Sequence, residues 1–293
     1  MARSEMWCGW GAACMNGAYR YGYSISQGLG FVACLLLGAA LGVCPAAAEK
    51  RRPGFDTVVI DAGHGGEDHG ARSRRGLAEK EVVLDVSLRL ASQLREKGFT
   101  VKLTRTEDRF VPLGRRTSLA NAAAADLFIS VHANAAGNAR PSGVETYFVS
   151  LDASDARAEK LALRENDAFG GNFSRVSEAD PLADLLGDLV VTEHVHESSE
   201  FAKLVQKELA ALGGGDARGV KQAPFVVLMG AAMPAALIEI GFLSNPEDEG
   251  NLGSSRHRAA VAGSIARAVE AFAKRYDARR GVIKGVRGLQ AAR

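Results

Sequence analysis

The sequence predicts an α/β domain on a central sheet, and three observations carry that prediction. Short β-branched or apolar runs alternate with helical stretches, the first run opens into a glycine-rich turn, and a long amphipathic helix closes the domain. Residues 57–61 (TVVID) form the first strand and lead into Ala62-Gly63-His64-Gly65-Gly66. Residues 79–97 form a helix, because Val82, Val86, Leu90 and Leu94 recur at i, i+4 and Gly98 stops the run. A second strand covers 100–103 and a helix covers 112–125. The third strand, 127–131 (LFISV), runs directly into His132-Ala133-Asn134. Residues 145–149 form a fourth strand, and 225–229 and 235–240 form two more. The closing helix, 256–276, carries Val261, Ile265, Val269, Phe272 and Tyr276 on one stripe.

Composition narrows the function. The 293 residues are 47% hydrophobic and 6% aromatic with a net charge of +2, which excludes a collagen, a disulfide mini-protein and a disordered chain. Near-neutral charge argues against a nucleic-acid partner. All four cysteines (Cys8, Cys14, Cys34, Cys44) and both tryptophans lie in the first 44 residues. Any metal site in the remainder must therefore use histidine and carboxylate. Residues 28–44 are an uncharged apolar run, followed by Ala46-Ala47-Ala48 before Glu49, with Arg3 and Arg20 upstream. That layout predicts a signal peptide over 1–48 and export to the periplasm, with membrane contact only through the signal. A retained anchor is the rival, and Cys44 is a poor lipidation site behind the bulky Val43. The catalytic domain is expected over 49–276 and a basic, solvated tail over 277–293.

The small net charge hides a split. Residues 151–200 hold 12 acidic and 4 basic residues, while the rest of the chain after residue 48 carries a net +9. Within this segment Leu182, Leu185, Leu186, Leu189 and Val190 make an amphipathic helical stripe. It reads either as a packed surface helix or as one that docks reversibly over a cationic, metal-bearing cleft.

Three residues converge on metal chemistry. His64 sits in the turn after the first strand, Glu79 opens a helix, and His132 ends a buried strand. Loops at the carboxyl ends of strands build the sites of α/β sheets, so the two histidines can meet. Two imidazoles and one carboxylate are a common ligand set for catalytic zinc with its fourth position open to water. A carboxylate must then accept the water proton. Glu239 is the candidate, since a charge inside the apolar strand AALIEI is costly unless it is functional or paired, for instance with Arg116. Asp68 reads as a turn residue or as a group orienting a ligand. His69, His194, His196 and His257 carry less weight, although the H-x-H pair His194 and His196 could form an adventitious or an inhibitory metal contact.

The blocks IDAGHGGEDHGA, GLAEKEV, LTRTEDRFVPLGRRTSLAN, ADLFISVHAN and ALIEIGFLSNPEDE, in this order, resemble the zinc-dependent N-acetylmuramoyl-L-alanine amidases of the amidase-3 type. The resemblance implies a single-domain, twisted, mostly parallel sheet of about six strands flanked by helices. It implies Zn2+ on His64, Glu79 and His132, Glu239 as the catalytic glutamate, and Asn134 and Arg116 near the substrate. The segment 151–200 is similar to the one in which amidases of Gram-negative division septa carry a zinc-blocking helix, displaced by an activator protein. Glu193, Glu197 and Asp188 are the candidates to reach the zinc. The implied activity is hydrolysis of the bond between N-acetylmuramic acid and L-alanine in peptidoglycan, in cell separation or wall remodelling, by a monomer. The alternative is a non-catalytic peptidoglycan-binding protein on the same scaffold.

Overall fold

In the computed structural model, which describes residues 54–167, 192–213 and 217–282, the chain runs as alternating strands and helices. The order is β1 (Thr57–Ala62), α1 (Glu79–Glu96), β2 (Thr100–Leu103), α2 (Leu113–Ala122), β3 (Leu127–Asn134), β4 (Val144–Val149) and α3 (Ala156–Asn166). After them come α4 (Thr192–Ala210), β5 (Ala217–Ala223), β6 (Ala235–Phe242), α5 (Pro246–Gly253) and α6 (Ser255–Arg279). The expected export segment, the leucine stripe at 182–190 and most of the basic tail lie outside the described residues.

The six strands form one sheet in the order β2-β1-β3-β6-β4-β5. All neighbours pair in parallel except β4 with β6. The period-two alternation of strand side chains builds both faces. Val58, Ile60, Ile129, Val131, Ile238 and Ile240 point to the side covered by α1, α4 and α6. Val59, Phe128 and Leu237 point to the other side, against α2, α3 and the segment around Phe225. Phe55 knits strand and closing helix together through edge-on contacts with Phe272 and Tyr276, at 5.7 and 5.6 Å between ring centres.

Local signals set the helix starts. Asp155 caps α3 by accepting from the backbone N–H groups of Arg157 and Ala158, and Asn245 caps α5 ahead of Pro246. One expected strand is displaced. Residues 225–229 form a turn in which the Leu228 and Met229 amides donate back to the Phe225 carbonyl. Phe225, Val227, Leu228 and Met229 are buried there as packing groups, so a short apolar run mimics a strand. The true strand, β5 (ARGVKQA), is polar and lies at the sheet edge, where apolar periodicity is not required. Among the described residues no helix is long and apolar enough to cross a membrane.

Candidate active site

The site lies where the parallel strands β1, β3 and β6 end. His64 follows β1 in a turn that forces it into the left-handed region at φ 58°, flanked by Gly65 at φ 123° and Gly66 at φ 61°. Two buried arginines hold this turn from beneath. Arg105 donates to the carbonyls of Ala62 and Gly63, and Arg116 donates to those of Ala62 and His64. Arg116 also donates to Asp61 Oδ1 at 2.8 Å, and Asp61 accepts from Thr104 and Ser130 as well. Burial disfavours the Asp61 carboxylate, but Arg116, Thr104 and Ser130 outweigh it and hold its pKa below the usual range.

Glycine is required at two close approaches. A Cβ on Gly63 would stand 2.5 Å from the His132 ring, and one on Gly70 would stand 2.6 Å from His64 and 2.7 Å from Glu79 Oε2. Glu79, the first residue of α1, sits at the positive end of that helix. Its Oε2 accepts from the Ala71 amide and its Oε1 from the Ala133 amide. Asp68 Oδ2 lies 2.9 Å from His64 Nδ1, so this aspartate orients the ring and turns Nε2 inward.

The structure brings His64, Glu79 and His132 together and adds a fourth group, Glu165 of α3. One donor atom from each of the four lies within 4.8 Å of all the others. Glu165 Oε2 is 3.2 Å from His64 Nε2 and 3.1 Å from His132 Nδ1, and Glu79 Oε1 is 3.1 Å from each of those same nitrogens. Yet His64 Nε2 and Glu165 Oε2 are buried with no hydrogen-bond partner. Buried polar atoms that converge without bonding fit a cation at their centre, and two imidazoles with two carboxylates suit zinc.

Charge points the same way. Burial opposes the His64 imidazolium, but Glu79, Asp68 and Glu165 prevail and push its pKa up to about 12. Burial also opposes charge on His132, and Glu165 with Glu79 raises it to about 9. Burial penalises the Glu79 carboxylate too, but the histidines bring it down to about 2, and they hold Glu165 well below the usual glutamate value. Two carboxylates thus hold two protons on the rings, and a divalent cation brings the same positive charge as those protons leave.

Glu239 faces this cluster from β6, opposite His132 in the strand register. Both its oxygens are buried without a hydrogen-bond partner. Burial above all raises its pKa well above the usual value; His132 opposes the shift and the carboxylates of Glu165 and Glu79 add to it. A carboxyl tuned upward beside a cation site is suited to accept and return a proton near neutral pH. It forms no ion pair with Arg116, which is committed to Asp61.

Other expectations are redistributed. Arg116 is 2% exposed, with every nitrogen engaged by Asp61 or backbone, and through those bonds it shapes the His64 turn. Asn134 lines a cavity beside the site, where its Nδ2 donates to Glu145 and its Oδ1 accepts from Arg164. Glu197 does not reach the cluster, since it faces His194 and Arg279 at 3.6 Å each. Asp188 and the Glu193 side chain lie outside what is described. The acid that does reach the cluster, Glu165, was missed by the sequence reasoning, although its signal was present. Ala158, Leu161, Ala162 and Glu165 form one buried stripe on α3, so an acid occupies an apolar position, as Glu239 does in β6.

Comparison with known proteins agrees with this geometry. Residues 58–271 match the family model described as N-acetylmuramoyl-L-alanine amidase. The chain is 36% identical over 230 residues to N-acetylmuramoyl-L-alanine amidase AmiA of Escherichia coli K12, covering 78% of this chain and 80% of that protein. It is 37% identical over 223 residues to the amidase AmiC of Neisseria meningitidis serogroup B, covering 76% of this chain and 53% of that protein. Among solved structures, the amidase AmiC2 of Nostoc punctiforme superposes with a TM-score of 0.56 at 28% identity, over 75% of this chain and 97% of that one.

Proposed function

The chain belongs to the N-acetylmuramoyl-L-alanine amidase family and is a peptidoglycan amidase, and from that premise we propose that it works as a zinc hydrolase held shut by its own Glu165. The observation that carries this reading is the convergence of His64 Nε2, His132 Nδ1, Glu79 and Glu165 on one point beside the unpartnered Glu239. His64, Glu79 and His132 would hold the ion, which when bound supplies a Lewis acid that polarises the scissile carbonyl and acidifies water. Glu239 accepts the proton of the attacking water on a carboxylate oxygen. It then delivers that proton to the leaving nitrogen of L-alanine. Asp68 and the two buried arginines keep the His64 ring in place through both steps.

Glu165 would give a bound ion a fourth donor, at the place water and substrate would need. A four-donor shell is the closed pattern of a structural site, and a catalytic site needs one direction free. The reading therefore requires α3 to move, and a protein that draws α3 away would act as activator. Export to the periplasm and a role in cell separation accord with this reading.

The test is digestion of purified peptidoglycan by the zinc-loaded protein, with analysis for muramic acid freed from L-alanine. Cleavage at that bond by the Glu165→Ala variant, at most slow in the native protein and lost in Glu165→Ala/Glu239→Gln at unchanged zinc content, is the expected result. No cleavage by the native protein or by a Glu165→Ala variant would overturn the reading and favour a peptidoglycan-binding role.

A further inference from the structure

The chain places one cation where two forces oppose it. Lys80 is the second residue of α1, at the positive end of that helix, and its side chain is buried. A lysine in such a place needs acceptors, and it has two. Its Nζ donates to the Gly66 carbonyl at 2.8 Å and to Asp108 Oδ2 at 2.7 Å. The other oxygen of Asp108 accepts from the Gly66 amide at 2.7 Å. Both backbone polar groups of one glycine are thus gripped, the carbonyl by a lysine of α1 and the amide by an aspartate of the loop after β2. That loop also packs tightly on the glycine, since a Cβ on Gly66 would stand 2.7 Å from the Phe110 amide nitrogen.

The gripped residue is the corner of a small hairpin. The Gly65 amide donates to the Asp68 carbonyl at 2.8 Å, and the Asp68 amide donates back to the Gly65 carbonyl at 3.2 Å. Gly66 and Glu67 are the two residues between, with Gly66 at φ 61°. The hairpin delivers Asp68, whose Oδ2 meets His64 Nδ1 at 2.9 Å while its Oδ1 accepts from the Gly70 amide at 3.1 Å. A continuous path therefore runs from Lys80 and Asp108 through Gly66 and the hairpin to Asp68, and from there to the His64 ring.

We propose that Lys80 and Asp108 are positioning residues for the metal centre, and that they set the 65–68 hairpin so that Asp68 aims His64 Nε2 at the ion. The proposal rests on the zinc reading. It gives the first turn of α1 two tasks. Glu79 offers a donor atom directly, and its neighbour Lys80 fixes a second donor, His64, through Asp68.

The test is competition for zinc between a chelator and the full-length protein, with proton NMR of the zinc-loaded forms. Asp68→Ala should weaken zinc binding by about 10- to 100-fold, and Lys80→Met and Asp108→Ala, one link further out, by about 3- to 10-fold each. Lys80→Met added to Asp68→Ala should cost less than about twofold more, because the lysine acts through the aspartate. The His64 Nδ1–H proton, assigned by its loss in Asp68→Ala, should exchange faster with water in Lys80→Met. Lys97→Met breaks a pair with Glu270 at the other end of α1 and should leave zinc affinity unchanged. Asp108 is half exposed, so Asp108→Ala tests the brace even where Lys80→Met fails to fold. Losses that multiply in the double variant, native affinity in Asp108→Ala, or an equal loss in Lys97→Met would overturn the proposal. A native protein that binds no zinc would remove the metal reading and the brace with it, whereas zinc held equally by native and brace variants would remove the brace alone.

Discussion

Replacing Glu165 with glutamine should switch the enzyme on. The carboxylate is almost wholly buried, and its Oε2 stands 3.1 and 3.2 Å from the two candidate ligand nitrogens. Its Oε1 accepts from Arg164 at 2.8 and 3.0 Å. Glutamine keeps the shape and removes the charge. One charge-assisted contact is worth about 1.5–3 kcal/mol, and the several contacts are not additive because the departing carboxylate regains water. At about 1.4 kcal/mol per tenfold, that shifts the closed-to-open balance by roughly 10- to 150-fold. Arg164 adds little to this figure, since 39% of its side chain is exposed and solvent screens its pair. The assay is the initial rate of dye release from labelled peptidoglycan by zinc-loaded protein without activator. Glu165→Asp, which keeps the charge but shortens the reach, should fall between native and glutamine. A Glu165→Gln rate equal to the native one, with zinc content and fold intact, would refute the latch.

Four further outcomes follow from the same geometry. Glu239→Gln should lower turnover by about 10²–10⁴-fold in the Glu165→Gln background while zinc content by atomic absorption stays the same. Gly63→Ala places a methyl 2.5 Å from the His132 ring, so zinc affinity by chelator competition should fall by about 10- to 100-fold. Asp61→Asn breaks a buried pair with Arg116 and should cost about 3–5 kcal/mol in urea denaturation. Because the native Asp61 pKa is depressed, its stabilisation is present above the unfolded carboxyl pKa and is lost as pH falls through the native value. The variant should therefore show a shallower acid limb in stability against pH, and an unchanged limb would remove Asp61 from the account. Zinc should raise the melting temperature of the chelated protein, by about 2.7 kcal/mol of stabilisation at 100 times its dissociation constant.

The sequence made the interior legible and the edges opaque. β1, β3 and β6 are buried on both faces, so their apolar runs announced them, and the residues at their ends were readable as chemistry. β5 has one neighbour and a polar sequence, so no periodicity marked it, while the buried turn after it imitated a strand. His64, Glu79 and His132 were legible because imidazole and carboxylate at strand and helix ends have few structural reasons to be there. The structural part of Arg116 was not legible, because a buried guanidinium serving backbone carbonyls looks, in sequence, like one that serves a ligand. Glu165 is harder to read because its stripe on α3 is short and built largely of alanine, so the acid does not stand out from an ordinary helix surface. The buried-acid argument that selected Glu239 applies equally to Glu165, and applying it to every amphipathic stripe would have found both.

The turn at His64 ties metal affinity to fold stability. Its left-handed backbone is held by carbonyls hooked onto Arg105 and onto Arg116, and Arg116 is anchored in turn by Asp61 near the end of β1. The entropy of ordering the His64 ring would therefore be spent when the domain folds, before any ion arrives. A lesion at Asp61, which itself offers no donor atom to the cluster, should then be felt first as a weakened hold on an ion and only at greater severity as unfolding. Zinc occupancy in such variants becomes an early gauge of damage to the core.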